Sequence, residues 1–269
     1  MSVHVSERNL SSTEHIRQFL SFYNFAEKEL SELPRRKYRW IGKPVMDIIN
    51  DIYEDLFSMN NSYFHYGIKE KDNQAQVNEV IHKFRKLNDS LFIMWNVQMN
   101  DIEYMDKWAS QMENIIDLLL KISCIKRDRV RYMNIIDYSV LNRASFLNNM
   151  CELHRFIYKK TISINSKLRE SKGSELMHLA DLALVCLFHA NIHVPNTKEE
   201  YLERKKNIAT AFNCVNNMQL PITSLFFEMH YGEKTMLQWA SLVDTQLKLL
   251  HGLQKSDEER FGYLLKTET

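Results

Sequence analysis

The chain has 269 residues, enough for one large domain or two of ordinary size, and 45% of them are hydrophobic, which excludes a disordered polypeptide. Only 6 Gly and 4 Pro serve the whole length; the many turns of a sandwich, barrel or α/β fold need more, so an all-α fold of long helices is expected. With 35 Lys+Arg against 34 Asp+Glu the formal charge is +1, which excludes a globally basic nucleic-acid binder but leaves room for a local basic patch.

The polar start, Met1 to Glu14, lacks the apolar core of a signal peptide, and no apolar run reaches 18 residues. A cytoplasmic protein with no membrane contact is therefore expected. The first predicted helix carries Ile16, Phe19, Leu20, Tyr23, Ala26, Leu30 and Leu33 and ends at Pro34, which lacks a donor and clashes with the preceding turn. The second carries Val45, Ile48, Ile49, Ile52, Leu56 and Met59 at steps of three and four, one face of a helix. The third runs from Val77 through Phe84 to Trp95. The fourth opens at a capping Asn100 and carries Met105, Trp108, Met112, Ile115 and Leu119.

The same order returns over about 141–164, 174–191, 198–218 and 233–250, with Pro221 interrupting the third helix beyond Met218. A shift of 131 residues brings Met105, Trp108, Ala109 and Ser110 onto Met236, Trp239, Ala240 and Ser241, and Met46, Leu56, Phe57 and Asn60 onto Met177, Leu187, Phe188 and Asn191. Phe25 falls on Phe156. One shift that matches separate segments predicts two tandem antiparallel up-down four-helix bundles: copy one at 1–121, an apolar joint or connecting helix at 122–138, and copy two at 139–269. The mixed-charge tail from Gln254 is expected to fray. The four cysteines (124, 151, 186 and 214) form no C-x-x-C pair and read as reduced, mostly buried thiols.

Few residues suggest chemistry. Glu79-x-x-His82 and Glu175-x-x-His178 have the spacing of di-iron bundle ligands but sit at non-corresponding positions of different copies, and ordinary surface residues are the better reading. No metal or other cofactor is expected. There is no phosphate loop and no nucleophile elbow. Arg8 and His15 have the Arg-x4–6-His spacing of the all-helical HEPN ribonucleases, but they precede the first predicted helix, which makes RNA cleavage the weakest alternative. Trp108 and Trp239 occupy matching points of an apolar stripe and read as core. The Lys198–Lys206 charge run reads as a solvated helix face.

The most pointed cluster follows Pro34. Arg35, Arg36, Lys37, Arg39 and Lys43 surround Tyr38 and Trp40, a set able to fork onto phosphates and stack on an unpaired base. In copy two the positions of Arg35, Lys37 and Arg39 hold Ser166, Leu168 and Glu170. A second basic group at the joint contains Lys121, Lys126, Arg127, Arg129 and Arg131. Candidate nucleic-acid contacts are Arg35, Arg36, Lys37, Tyr38, Arg39, Lys43, Lys126, Arg127, Arg129 and Arg131.

A four-helix unit of about 120 residues whose first helix ends in Leu33-Pro34-Arg35-Arg36-Lys37, followed by the apolar helix Val45–Leu56, a third helix with Lys83, Arg85 and Lys86 and a fourth from Asn100, resembles the accessory variability determinant proteins of diversity-generating retroelements. These are similar in fold to four-helix proteins encoded in ribosomal-RNA intervening sequences. The resemblance covers about 12–121, and 141–250 through the repeat. It implies a noncatalytic accessory subunit that binds a reverse transcriptase and its RNA and assembles into a homo-oligomer or ring. This chain departs in having two units, a neutral total charge and Leu118-Leu119-Leu120-Lys121 at the end of its fourth helix. The alternative is a helical scaffold for protein partners without nucleic acid.

Overall fold

The structure, a computed structural model, describes residues 10–66, 70–98, 102–122, 144–192, 194–229 and 232–265. Every element among them is helical, so the fold is all-α. The chain divides into two compact units, Met1–Ile136 and Asp137–Thr269.

In the first unit α1 (Leu10–Ser31) is followed by a single turn, α2 (Arg35–Lys37), a π-helical turn at Tyr38–Gly42, and then α3 (Lys43–Tyr66), α4 (Glu70–Gln98) and α5 (Ile102–Ile122). α1 packs on α3 and α5, α3 on α4, and α4 on α5, a closed cycle of neighbours. Side chains fix the directions. Tyr23 Oη donates to Asn50 Oδ1 at 3.0 Å while Phe19, one turn earlier, stacks on Tyr53 at 6.3 Å, so α1 and α3 run antiparallel. Phe22 and Phe25 lie against Trp108 at 5.8 and 5.0 Å, while Glu14 and Gln18 share a groove with Asn114 and Asp117, so α1 and α5 run antiparallel too. The apolar periodicity thus closes a core of Phe19, Phe22, Ile49, Ile52, Leu56, Phe84, Leu87 and Trp108, all essentially inaccessible. Each such side chain contributes roughly 1.5–3 kcal/mol relative to exposure. Asn100, expected to cap α5, lies outside the described residues.

The second unit comprises α6 (Ser145–Ile162), the single turn α7 (Ser166–Leu168), a π-helical turn at Arg169–Gly173, α8 (Ser174–Ile192), α9 (Lys198–Asn217), α10 (Gln219–Met229), α11 (Glu233–Phe261) and a final 3₁₀ turn at Gly262–Leu265. α6 packs on α8, α8 on α9, α9 on α11 and α11 on α6. Asn149 Nδ2 donates to Gln246 Oε1 at 2.8 Å and Phe156 meets Trp239 at 5.6 Å, which makes α6 and α11 antiparallel. α9 starts with a side-chain cap: Thr197 Oγ1 accepts from the Glu200 amide at 3.2 Å, and Glu200 reaches back to the Asn196 amide at 2.8 Å.

The 131-residue offset recurs in the elements themselves. α1 and α6 end at Ser31 and Ile162; the π turns span Tyr38–Gly42 and Arg169–Gly173; α3 and α8 begin at Lys43 and Ser174; α5 and α11 begin at Ile102 and Glu233. Phe25–Trp108 and Phe156–Trp239 are the same offset pair, and both tryptophans are fully buried. Tyr23–Asn50 has its counterpart in His154–Asp181, where imidazole Nε2 and carboxylate Oδ1 lie 2.7 Å apart. One cross-helix polar contact is therefore made at the same site by two different chemistries.

Several expectations are corrected. Residues 254–265 do not fray: α11 continues to Phe261, and Phe261 and Leu264 are buried with Tyr201. The cause is Arg204. This residue belongs to the run read as a solvated face, yet its side chain is only 12% exposed. It donates from Nε and Nη2 to the two carboxylate oxygens of Asp257 at 2.5 and 3.1 Å, and from Nη1 to the Ala190 carbonyl. Pro221 interrupts less than expected, because helix resumes at Gln219 and the missing donor falls in the first turn of α10. The helical stretch Ser166–Ile192 is long and apolar enough to cross a membrane, although half of its apolar window is buried. α8 is packed on two sides, by α6 and α9, which accounts for apolar residues around its circumference. Cys151, Cys186 and Cys214 are free and buried, and burial pushes the Cys151 thiol up to about 11. Cys124 lies outside the described residues.

Candidate nucleic-acid interface

The basic cluster is not in a loop. Pro34 is extended (φ −52°, ψ 137°), which the proline ring permits, and it hands the chain directly to a helix. The Tyr38 amide donates to the Pro34 carbonyl at 2.9 Å, and the Lys43 amide donates five residues back to Tyr38, the signature of a π turn. Residues 35–66 thus form one continuous helical path with a wide turn near its start.

The wide turn is closely covered at Gly42. A Cβ there would lie 2.9 Å from Tyr38 Cδ2 and 3.0 Å from Leu33 Cδ1, so the Tyr38 ring lies across the glycine. Ile41 and Gly42 are buried and anchor the turn; Trp40 is half-buried and Tyr38 stays 36% exposed. The anchored wide turn presents the cations outward. Arg35, Arg36, Arg39 and Lys43 are exposed and Lys37 is half-buried. Lys43 is committed to Asp47 at 2.5 Å. Arg35, Arg36 and Lys37 make no ion pair among the described residues.

Three cations in a first helical turn oppose the helix dipole, whose positive end lies there, by a few tenths of a kcal/mol each at an exposed site. The positive field of the backbone and of the side chains is therefore superimposed on one exposed end. In the second unit the corresponding turn differs. Asn165 caps the Leu168 amide at 3.1 Å, Arg169 turns back to donate to the carbonyls of Ile162 and Ile164, and Lys172 lies 3.8 Å from Glu175. Arg169 and Lys172 thus serve the local structure, while Lys167, at the position of Arg36, is exposed.

Other candidates separate. Lys126, Arg127, Arg129 and Arg131 lie outside the described residues. Lys83 is paired with Asp55 at 2.7 Å, and Arg85 is half-buried. Glu79, His82, Glu175 and His178 are exposed, and no group of three potential metal ligands occurs among the described residues. Arg8 also lies outside the described residues. His15 does not precede α1, as the sequence suggested, but lies within it; it is 6% exposed, and burial holds its pKa below the ordinary imidazole value. An imidazole so enclosed is poorly placed to take a proton from RNA.

Sequence reasoning missed the buried polar contacts of the second unit. His154 is 2% exposed beside Asp181, and burial together with that carboxylate pushes the Tyr158 hydroxyl well above the ordinary phenol range. The 131-residue offset from Tyr23 and Asn50 was the one available signal. A groove of about 390 Å³ between α9 and α11 is lined by Tyr201, Lys205, His251, Lys255 and Glu258, and Lys205 is paired with Glu258 at 3.1 Å. Comparison with protein-family models, with curated proteins and with solved structures finds no match to this chain.

Proposed function

We propose that this protein is a noncatalytic helical adaptor that binds RNA at the basic start of α2–α3 in its first unit. The resemblance to retroelement accessory proteins assigns a reverse transcriptase as its protein partner. The observation that carries the RNA reading is Arg35, Arg36 and Lys37 on one exposed helical turn, without ion pairs among the described residues and at the positive end of the helix dipole. The common offset of helix ends, π turns and aromatic pairs supports reading the units as tandem copies of one four-helix fold. On that reading one copy keeps the basic turn and the other is free for protein contacts.

The test is a salt titration of binding to structured RNA with single-stranded loops. Three phosphate contacts give a log–log slope of about −2 on single strands. Changing Arg35, Arg36 and Lys37 together to Ala should flatten that slope and weaken binding to all sequences alike, since phosphate contacts carry little sequence information. Changing Ser166 and Lys167 to Ala should have little effect. Equal losses from both variants, or no binding by the unaltered protein at low salt, would favour the second reading, a protein scaffold without nucleic acid. The exposed apolar face of α10 is the observation on that side.

A further inference from the structure

The geometry points to a binding site for a small organic phosphate in the groove between α9 and α11: the phosphate sits between the ammonium groups of Lys205 and Lys255, and its carbon body lies against Ile208 and Ala209. The inference stands apart from the RNA reading, because this groove belongs to the second unit and the basic turn to the first. The groove holds about 390 Å³, within the range of about 300–1,000 Å³ usual for small-molecule sites.

Helical spacing builds both walls. Tyr201, Lys205 and the Ile208–Ala209 pair follow at steps of about one turn on α9, and His251, Gln254–Lys255 and Glu258 do the same on α11. The two helices run antiparallel, since Arg204 meets Asp257, Lys205 meets Glu258 and Tyr201 meets the Phe261 ring. Lys255, one turn before Glu258, therefore stands on the opposite wall from the stretch between Lys205 and Ala209. From Tyr201 to Ala209 the groove runs about 12 Å. The Arg204–Asp257 pair ties the walls together beneath it, and both oxygens of that lining carboxylate are taken by the guanidinium.

What remains to bond a ligand is rich in donors. The side chains of His251, Gln254 and Lys255 make no hydrogen bond or ion pair among the described residues. Tyr201 is 1% exposed, yet it lines the groove and its hydroxyl has no hydrogen bond among the described residues. A hydroxyl so enclosed gains from a partner. The opposing acceptor is Glu258, whose 3.1 Å contact with Lys205 joins side chains that are 64% and 50% exposed. Such an exposed pair contributes little and opens readily. A phosphate monoester, close to a dianion at neutral pH, meets both ammonium groups once Glu258 turns into solvent.

The repeat shows that the fold does not require these donors. A shift of 131 residues carries Ile208 onto Val77, and both are core. The same shift carries Tyr201, Lys205, His251 and Lys255 onto Glu70, Gln74, Leu120 and Cys124. The second unit thus keeps the packing position and places its own donors around it.

The test is a titration of the full chain with phenyl phosphate, followed by ligand-observed proton and phosphorus NMR. A probe of about a dozen non-hydrogen atoms belongs in the millimolar range. Lys205→Met and Lys255→Met should each weaken binding about tenfold, and Tyr201→Phe about threefold. Glu258→Gln removes the competing carboxylate and should tighten binding about threefold, a gain that damage to the fold does not produce. Inorganic phosphate, lacking the carbon body, and benzoate, carrying a single charge, should both bind more weakly than phenyl phosphate. No binding up to about 20 mM overturns the proposal. So does binding indifferent to Lys205→Met and Lys255→Met, weaker binding by Glu258→Gln, or benzoate or inorganic phosphate binding as tightly as phenyl phosphate. Loss of binding in the Arg35, Arg36 and Lys37 triple variant instead would overturn it too, by placing the anion on the basic turn, and would leave the RNA reading standing.

Discussion

Asp257→Ala should be among the most damaging single substitutions in the second unit. Arg204 and Asp257 are 12% and 5% exposed and share a two-pronged contact at 2.5 and 3.1 Å, so removing the carboxylate takes both prongs from a largely buried guanidinium that also donates to the Ala190 carbonyl and lies 5.9 Å from the Phe261 ring. Breaking one member of such a buried pair costs about 3–5 kcal/mol, because the remaining charge keeps its desolvation penalty and loses its counter-charge. For a unit of this size 1 kcal/mol shifts the melting temperature by roughly 3–5 °C, so the transition of the second unit should fall by about 10–25 °C. Calorimetry on the full chain reads this directly, since two compact units can give separable transitions. Arg204→Met combined with Asp257→Leu should recover most of the loss, because replacing a buried pair by apolar groups of similar size is often neutral or better. Amide exchange should also show residues 254–265 losing protection before the rest of α11 in Asp257→Ala. A loss under about 1 kcal/mol, or a double substitution as damaging as the single one, would refute the view that this pair holds the C-terminal turns in place.

Gly173→Ala should cost about 1–3 kcal/mol, since its Cβ would sit 2.7 Å from Cγ2 of the fully buried Thr161, and Thr161→Ser should relieve it. Gly42→Ala meets the movable Tyr38 ring instead and should be close to neutral in chemical denaturation, the helix-propensity gain of about 1 kcal/mol offsetting the crowding. Burial lowers the pKa of His15, so the unfolded chain takes up a proton that the folded one resists. The stability this group contributes is complete above the ordinary imidazole value of about 6.5 and is lost as the pH falls below it. His15→Phe should flatten the pH dependence of urea unfolding in that window, and an unchanged profile would place the group in solvent. Tyr23→His and Asn50→Asp should each destabilise the first unit, yet the double variant should regain about 1 kcal/mol of coupling in a double-mutant cycle, as it rebuilds the His154–Asp181 contact at the matching site.

The secondary structure was legible because its signals are local. Scarce Gly and Pro and apolar steps of three and four require long helices wherever they occur, and Phe19, Ile49, Phe84, Trp108 and Trp239 follow as core from position on a stripe alone. The offset of the two halves was legible for the same reason, as was the basic cluster after Pro34, because its residues are consecutive. Other features depend on partners distant in sequence. Arg204 looked like a surface charge because its helix face carries charges, and only the packing of α9 on α11 brings it to Asp257, 53 residues later. The tail looked frayed because Phe261 and Leu264 follow a run of charges; what orders them is another helix, through Arg204 on Asp257 and Tyr201 against the two apolar side chains. His154 marked no helix face as polar, since one imidazole on an apolar stripe is indistinguishable from a surface residue until Asp181 is seen beside it. Whether Arg35, Arg36 and Lys37 are splayed in a loop or held on a helix was likewise decided in three dimensions. The close approach of Tyr38 and Leu33 over Gly42 anchors the π turn, and that anchor turns a run of basic residues into an oriented surface. Periodicity records which face of one helix is buried; the chemistry on a face depends on what the neighbouring helix brings to it.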